Sequence, residues 1–158
     1  MEQEESGGIE VLTPDGTPVR QIAVFLPNRP GAFVSILDLM RANQVVVLGL
    51  SVQDSIDNTV VRLVVNDPDT VQTVFIEKGI PFNTTDLVVV ELNEGPEQMP
   101  DCLRTMLTAE TNIHFIYPLI TKPRGRAALA LCVEDNDFGR TVLAKAGYKV
   151  LVQEDLSR

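Results

Sequence analysis

The residues best suited to chemistry in this sequence form a turn at residues 28–31, between a predicted strand (residues 19–26) and a predicted helix (residues 31–43). The first N–H groups of a helix have no partner within the helix and carry a partial positive charge. Asn28 adds an amide to this corner, and Gly31 lets a ligand approach the backbone closely. The turn therefore predicts a site for a small anion such as a carboxylate.

A second turn of the same kind, residues 92–97, follows the next long apolar stretch and again precedes a helical pattern. Here Glu97 stands where the first turn has Gly31. A carboxylate in this position interacts favourably with the positive end of the helix dipole, and it would also repel the carboxylate of a ligand. The second turn is therefore predicted to be a weaker anion site than the first.

Catalytic and metal-binding residues do not stand out. The single histidine, His114, lies in a predicted strand, where it either packs against neighbours or lines a groove and senses pH or ligand charge. No serine or cysteine is placed by sequence as a nucleophile beside it. The pairs Asp67/Asp69 and Asp135/Asp137 are predicted to cap helices rather than to bind a metal. We therefore expect no catalytic residue, no metal and no cofactor.

Composition favours a protein with an aliphatic core. Of the 158 residues, 44% are hydrophobic and only 5% aromatic, and the net charge is −9. Nucleic-acid surfaces need clustered cations, so the negative charge argues against that partner. No apolar run reaches the roughly 20 residues that span a bilayer, and the acidic N-terminus is unlike a signal peptide. We expect a cytoplasmic protein with no membrane partner, in which Cys102 and Cys132 are buried thiols.

Positive charge is concentrated in one place, residues 122–126, where Lys122, Arg124 and Arg126 alternate with Pro and Gly. The Pro and Gly residues predict a hairpin turn. Such a turn is commonly a solvated loop, and a cluster of cations also suits an acidic ligand or partner. Both interpretations remain open at the level of the sequence.

Periodicity predicts an acidic flexible tail followed by strands and helices in a repeating order. The tail is residues 1–18, and the first set is a strand (19–26), a helix (31–43), two strands (45–52, 59–65), a helix beginning at Asp67 and closed by Gly79, and a weaker strand (80–85). The second set begins with a strand at residues 87–92 and a helix from Met99. It continues with strands at 113–120 and 126–133, a helix at 135–146 and a strand at 148–152.

The two sets are an internal repeat. At a shift of 68, Asp67 matches Asp135 and Gly79 matches Gly147, while at a shift of 66 Pro30 matches Pro96. The shift changes only where loops are predicted. Two copies of one βαββαβ unit explain this pattern. One copy leaves a sheet face and its edges uncovered, and pairing edge to edge or packing face to face would cover them.

The turn at residues 28–31 and the duplicated βαββαβ order resemble the ACT domain, a small amino-acid-sensing module found attached to metabolic enzymes. The resemblance implies an α+β protein with two ferredoxin-like units in tandem, residues 19–86 and 87–158. It also implies that the units pair side by side into an eight-stranded antiparallel sheet with helices on one face.

In that family, ligands bind between the first loop–helix corner of one unit and the second strand of its neighbour. The resemblance therefore implies a ligand-binding corner at Asn28, Arg29, Pro30, Gly31 and Ala32. The family often has an Asn near the start of the second strand; the first copy has valines there, and the second keeps Asn112, close to His114. These residues imply one composite site made from the first corner and the Asn112 strand.

The function that follows is a non-catalytic regulatory or sensor protein that binds an amino acid between its two units. The alternative is a ligand-free module that oligomerises or controls a metabolic enzyme through an exposed sheet or helix face. A homodimer or an enzyme partner fits either function. The sequence does not say which amino acid is bound.

Overall fold

The computed structural model describes residues 16–157, so the predicted tail lies outside the described residues except for positions 16–18. The first half of the chain forms three strands and two helices. They are β1 (Val19–Pro27), α1 (Ala32–Ala42), β2 (Val47–Asp54), β3 (Asn58–Val65) and α2 (Pro68–Lys78).

The second half begins with a long strand and repeats the order of the first. Its elements are β4 (Phe82–Leu92), α3 (Met99–Thr108), β5 (Ile113–Pro118), β6 (Ala127–Val133), α4 (Asn136–Lys145), β7 (Val150–Leu151) and α5 (Gln153–Leu156). Single 3₁₀ turns precede α3 at Pro96–Gln98 and β6 at Pro123–Gly125. The predicted α+β class and the repeated βαββαβ order are confirmed.

One prediction about the strands was wrong. Residues 80–85 and 87–92 do not form two strands, because residues 82–92 run as the single strand β4. Up to Leu87 this strand pairs antiparallel with β1, and from Val88 onward it pairs with β6. The fourth strand of the first unit is therefore continuous with the first strand of the second. The sheet consequently has seven strands rather than the expected eight.

The seven strands form one sheet in the order β2-β3-β1-β4-β6-β5, with β7 pairing on β4. Side chains alternate between the two faces of a strand. In β4, Val88 and Val90 pack beneath helices α3 and α4, whereas Leu87 and Val89 face the opposite way. The corresponding residues of β1 and β3 pack beneath α1 and α2. Helices α1 to α4 therefore cover one face of the sheet, as the resemblance implied, whereas Leu156 of the short helix α5 packs on the other face.

The other face of the sheet curls around a third core that both units share. Val19, Leu48 and Val64 of the first unit pack there with Tyr117, Leu119 and Ala130 of the second. The edge strands also meet. Gly49 and Leu119 form an antiparallel bridge, and the Ile120 N–H donates to the Leu48 carbonyl at 2.7 Å. The two units are thus packed face to face across this core in addition to sharing β4.

Capping residues fix the ends of the helices as the sequence predicts. The Asp67 side chain accepts a hydrogen bond from the Thr70 N–H at the start of α2, and Gly79 closes that helix in the left-handed conformation at φ 67°. Asp135 caps α4 in the same way, by accepting from the Phe138 N–H. These aspartates therefore have the capping role expected of them.

Candidate functional site

The first corner lies between the end of β1 and the start of α1. Gly31 occupies the N-cap position in the left-handed conformation, with φ 81° and ψ −11°, and no side chain caps the helix. The first turn of α1 contains no acidic residue. Asn28, Arg29 and Pro30 are exposed, and Ala32 is half-buried. The corner is therefore an open helix N-terminus with one cation beside it.

Part of the backbone at this corner is already bonded. The Arg29 N–H donates to the Pro27 carbonyl at 2.9 Å, and the Ala32 N–H reaches the Arg29 carbonyl at 3.4 Å. Both the N–H and the hydroxyl of Ser35 donate to the Gly31 carbonyl. These bonds fix the shape of the turn, while the N–H groups at positions 33 and 34 point out from the first turn of the helix.

The second corner is built differently. Gly95 has φ 89° and ψ −170°, and the turn continues through the 3₁₀ segment before α3 begins. The Gln98 side-chain oxygen accepts from the Glu94 N–H at 3.3 Å, and Glu97 lies exposed in the first turn. A carboxylate therefore stands in this corner, whereas an arginine stands in the first.

Asn112 and His114 lie at the start of β5, both exposed. The Asn112 side chain donates to Glu134 Oε2 at 3.2 Å, across the β5–β6 pair. β5 runs parallel to β4 and antiparallel to β1, so its start lies at the same end of the sheet as the first corner. Strands β4 and β6 lie between them, so the two groups are not neighbours in the sheet. The composite site stays a prediction.

A groove of about 630 Å³ lies at the opposite end of the sheet, where the edge strands of the two units meet. We call it the seam groove. Leu48 of the first unit contributes to it, together with residues of the β5–β6 loop and of the chain around α5: Thr121, Lys122, Pro123, Arg124, Lys149, Asp155 and Leu156. The cluster at 122–126 was visible in the sequence, whereas Lys149 and Leu48 come together with it only through the fold.

An apolar cavity of about 390 Å³ adjoins the seam groove and shares Thr121 and Lys122 with it. Leu92, Pro96 and Met99 of the second corner form one wall. The facing wall comes from the β5–β6 hairpin, including Ile120 and Leu129. The second corner thus borders an apolar space, while the first is an open helix end.

Glu91 is a buried carboxylate near the seam groove, only 1% exposed. Its Oε2 lies 3.5 Å from Arg124 Nη1, and its Oε1 lies 4.0 Å from Arg126 Nε. Within the described chain, Oε1 has no hydrogen-bond partner. The signal for this residue in the sequence was a single charge inside the apolar run of residues 87–92.

Other possible sites were searched for among residues 16–157. In that part of the chain, no group of three or more His, Cys, Asp or Glu side chains could hold a metal ion. No helix there is both long enough and apolar enough to cross a membrane.

Comparison with known proteins connects this architecture to others. A solved protein of Bacteroides thetaiotaomicron superposes with a TM-score of 0.80 at 19% identity, covering 90% of this chain and 97% of the other. The ligand-free regulatory subunit of aspartate kinase from Thermus thermophilus gives a TM-score of 0.59 at 12% identity, covering 84% and 94%. The corresponding subunit from Thermus flavus gives 0.51 at 15% identity, covering 83% and 94%. At these identities the likeness concerns the fold.

No curated protein sequence matches this chain. The family model for the ACT domain pair, however, matches residues 17–158. That range contains both repeats, the shared strand β4 and both loop–helix corners. The chain belongs to the family of ACT domain pairs.

Proposed function

We propose that this chain is a non-catalytic regulatory protein that binds a small amino acid between its two units, at the first corner. The observation that carries the proposal is the uncapped start of α1, where Gly31 holds the turn and no acidic residue opposes an anion. The regulatory role is supported by membership of the ACT domain pair family and by the fold shared with aspartate kinase regulatory subunits. The controlled partner would be a metabolic enzyme in the cytoplasm.

The chemistry of the corner suits the carboxylate of an amino acid. The open N–H groups at the start of α1 would donate to the carboxylate, and Arg29 would add a positive charge. The Asn28 amide can both donate and accept, so it suits the neighbouring amino group. In the composite form of the site, Asn112 and His114 would approach the ligand from β5.

The second corner would bind a carboxylate poorly because Glu97 lies in its first turn. Two negative charges close together repel each other, and here the protein carboxylate already satisfies the helix dipole. We therefore propose one amino-acid site per chain. Calorimetry measures the stoichiometry directly, and two equivalent sites per chain would contradict this part of the proposal.

The ligand is found by screening the twenty amino acids by thermal shift. A ligand present at 100 times its dissociation constant stabilises the folded state by about 2.7 kcal/mol, which gives a clear shift. No response to any of the twenty would reject amino-acid binding and favour a ligand-free interaction module.

Two glycine variants locate the site. Gly31 and Gly147 both have positive φ, and a Cβ at either position meets no atom within 4 Å. Gly31→Ala and Gly147→Ala should therefore lose similar amounts of stability, about 1 kcal/mol each. Only Gly31→Ala should weaken binding of the amino acid, because Gly147 precedes β7, which pairs near the end of β4, whereas the end of β1 lies beside the start of β4. Equal affinity in both variants would place the ligand elsewhere, and Asn112→Ala and His114→Ala then test the β5 side.

A further inference from the structure

We propose that the seam groove is a second ligand site, which takes a small molecule carrying two negative charges. The residues that carry the inference are Lys122, Arg124 and Lys149, which converge on one concave surface. This site is separate from the first corner. Leu48 lies at the start of β2 and the corner follows the end of β1, and these strands run parallel. The two sites are thus at opposite ends of the sheet.

The charge of the groove is positive although the whole chain carries −9. Among the residues that the structure describes, three cationic side chains line the groove and Asp155 is the one acidic residue in its lining. That carboxylate is engaged elsewhere, since Asp155 Oδ2 accepts from the Val152 N–H at 2.9 Å at the start of α5. The lining therefore has a surplus of two positive charges. Counting Glu91 together with its second partner Arg126 leaves that surplus unchanged, and a dianion would neutralise it.

Arg124 is held in an unusual conformation. Its backbone has φ 58° and ψ 21°, in the left-handed region that residues with a Cβ rarely occupy. Pro123 before it and Gly125 after it make the 3₁₀ turn that fixes this conformation. Strained backbone of this kind tends to occur where the position of a side chain matters for function. Here it places a guanidinium between Glu91 and the groove.

Glu91 holds Arg124 beside the groove, although its own negative charge opposes an anion there. A buried carboxylate is costly unless its oxygens are well paired. Among residues 16–157, the Glu91 side chain has long contacts with Arg124 and Arg126, and its Oε1 has no hydrogen bond. Arg124 contacts it through Nη1, and a guanidinium has five N–H donors in all. The donors left over are available to a ligand in the groove. Glu91 is thus a positioning residue for Arg124.

Both units build the groove, so a ligand there would bind at the junction that closes the sheet. Leu48 belongs to β2, and its carbonyl accepts from the Ile120 N–H at 2.7 Å and from the Thr121 N–H at 3.4 Å. Thr121 and Lys122, which follow directly, line the groove. A bound dianion would therefore stabilise the contact between β2 and the β5–β6 loop.

Two kinds of small molecule share the required chemistry: phosphate esters and dicarboxylates. Inorganic phosphate and succinate serve as probes, each titrated calorimetrically into the full chain at constant ionic strength, with chloride as the control anion. Binding of phosphate alone identifies a phosphate group, and binding of succinate alone identifies a dicarboxylate. If neither produces more heat or thermal stabilisation than chloride at the same ionic strength, the proposal is overturned.

Two lysine variants test whether the groove itself binds the anion. Lys149→Gln removes a cation from the groove and should lower the affinity for the probe about tenfold, since it removes a charge-assisted hydrogen bond. Lys145→Gln removes an exposed lysine in the last turn of α4, which does not line the groove, and should leave the affinity unchanged. Equal weakening by both variants would indicate general screening of charge and would overturn the proposal.

Glu91→Gln provides a test in the opposite direction. It removes a negative charge beside Arg124, while the amide oxygen of the new side chain can still accept from the guanidinium and keep it in place. The probe should therefore bind more tightly by a few-fold. Unchanged or weaker binding in a variant that folds would contradict the placement of Arg124 between Glu91 and the ligand. Gly31→Ala should leave the probe affinity unaltered. An absence of amino-acid binding at the first corner is therefore distinguishable from an absence of dianion binding in the seam groove.

Discussion

Tyr117 of the second unit donates a hydrogen bond of 2.7 Å to the side-chain oxygen of Gln21 in the first unit. Both residues are buried in the core that the curled sheet encloses, at 5% and 2% exposure. The bond joins β5 to β1 across the interior, and burial raises the pKa of Tyr117 well above its ordinary value. This polar contact therefore fixes how the two units face each other.

Tyr117→Phe should destabilise the protein by about 1–3 kcal/mol, because it leaves the buried Gln21 oxygen without a donor. Chemical denaturation measures the free energy of unfolding. Tyr148→Phe is the matched control, since Tyr148 is half-buried and water can replace its hydroxyl contact. A loss of equal size in both variants would show that the interior bond has no special role.

Gly49→Ala should weaken the closure between the edge strands. A Cβ at this position would lie 2.7 Å from Leu119 Cδ2, so Leu119 has to move, and overpacking of this kind costs about 1–3 kcal/mol. The double variant Gly49→Ala/Leu119→Ala should lose less stability than the sum of the single losses, because the new methyl group then has space. Additive losses would mean that the two residues do not interact.

Asp67 should make the free energy of unfolding depend on pH in the acid range. Hydrogen bonds from the Thr70 hydroxyl and N–H hold the pKa of Asp67 below its ordinary value of 3.8. The ionised carboxylate is therefore favoured in the folded state. Its contribution is fully present above 3.8 and is lost as the pH falls through the lower folded-state pKa.

Asp67→Asn keeps a side chain that can cap the helix, so this variant should lose less stability than the parent chain between pH 5 and 2. Thermal unfolding at a series of pH values measures the difference. Asp38→Asn, at an exposed position in α1, controls for the loss of one negative charge. If the pH dependence of Asp67→Asn matches that of the parent chain, the Thr70 bonds do not act on stability in this way.

The two cysteines should be unreactive in the folded protein. Cys102 is fully buried and Cys132 is 8% exposed, and burial raises the pKa of Cys102 to about 11. At pH 8 roughly one Cys102 thiol in a thousand would be ionised, and the thiolate is the reactive form. An aromatic disulfide reagent should label neither thiol in native protein and both in denaturant. Rapid labelling of native protein, assigned with Cys102→Ala and Cys132→Ala, would contradict this.

Local signals explain what the sequence predicted well. Helix ends are set by nearby residues, so Asp67 and Gly79 marked the limits of α2. The repeat followed from matched positions in the two copies, and it led to the fold class. The burial of Cys102 and Cys132 followed from the apolar patterns around them.

Features that depend on contacts between distant parts of the chain could not be predicted from local patterns in the sequence. Residues 83–86 are all polar and predict a break before the apolar run, yet they remain extended because their backbone pairs with residues 20–23 of β1. The seam groove combines Leu48, Lys149 and residues 122–124 of the basic cluster, which are far apart along the chain. Only the register between the edge strands brings them together.

Because both repeats share strand β4, we expect them to unfold as a single cooperative unit. The backbone of β4 pairs with β1 through Leu87 and with β6 from Val88, so there is no linker at which one half could turn or unfold alone. A slip of one residue in β4 would turn the side chains of both halves to the wrong face. The binding free energy of a ligand at either end of the sheet therefore stabilises the whole chain.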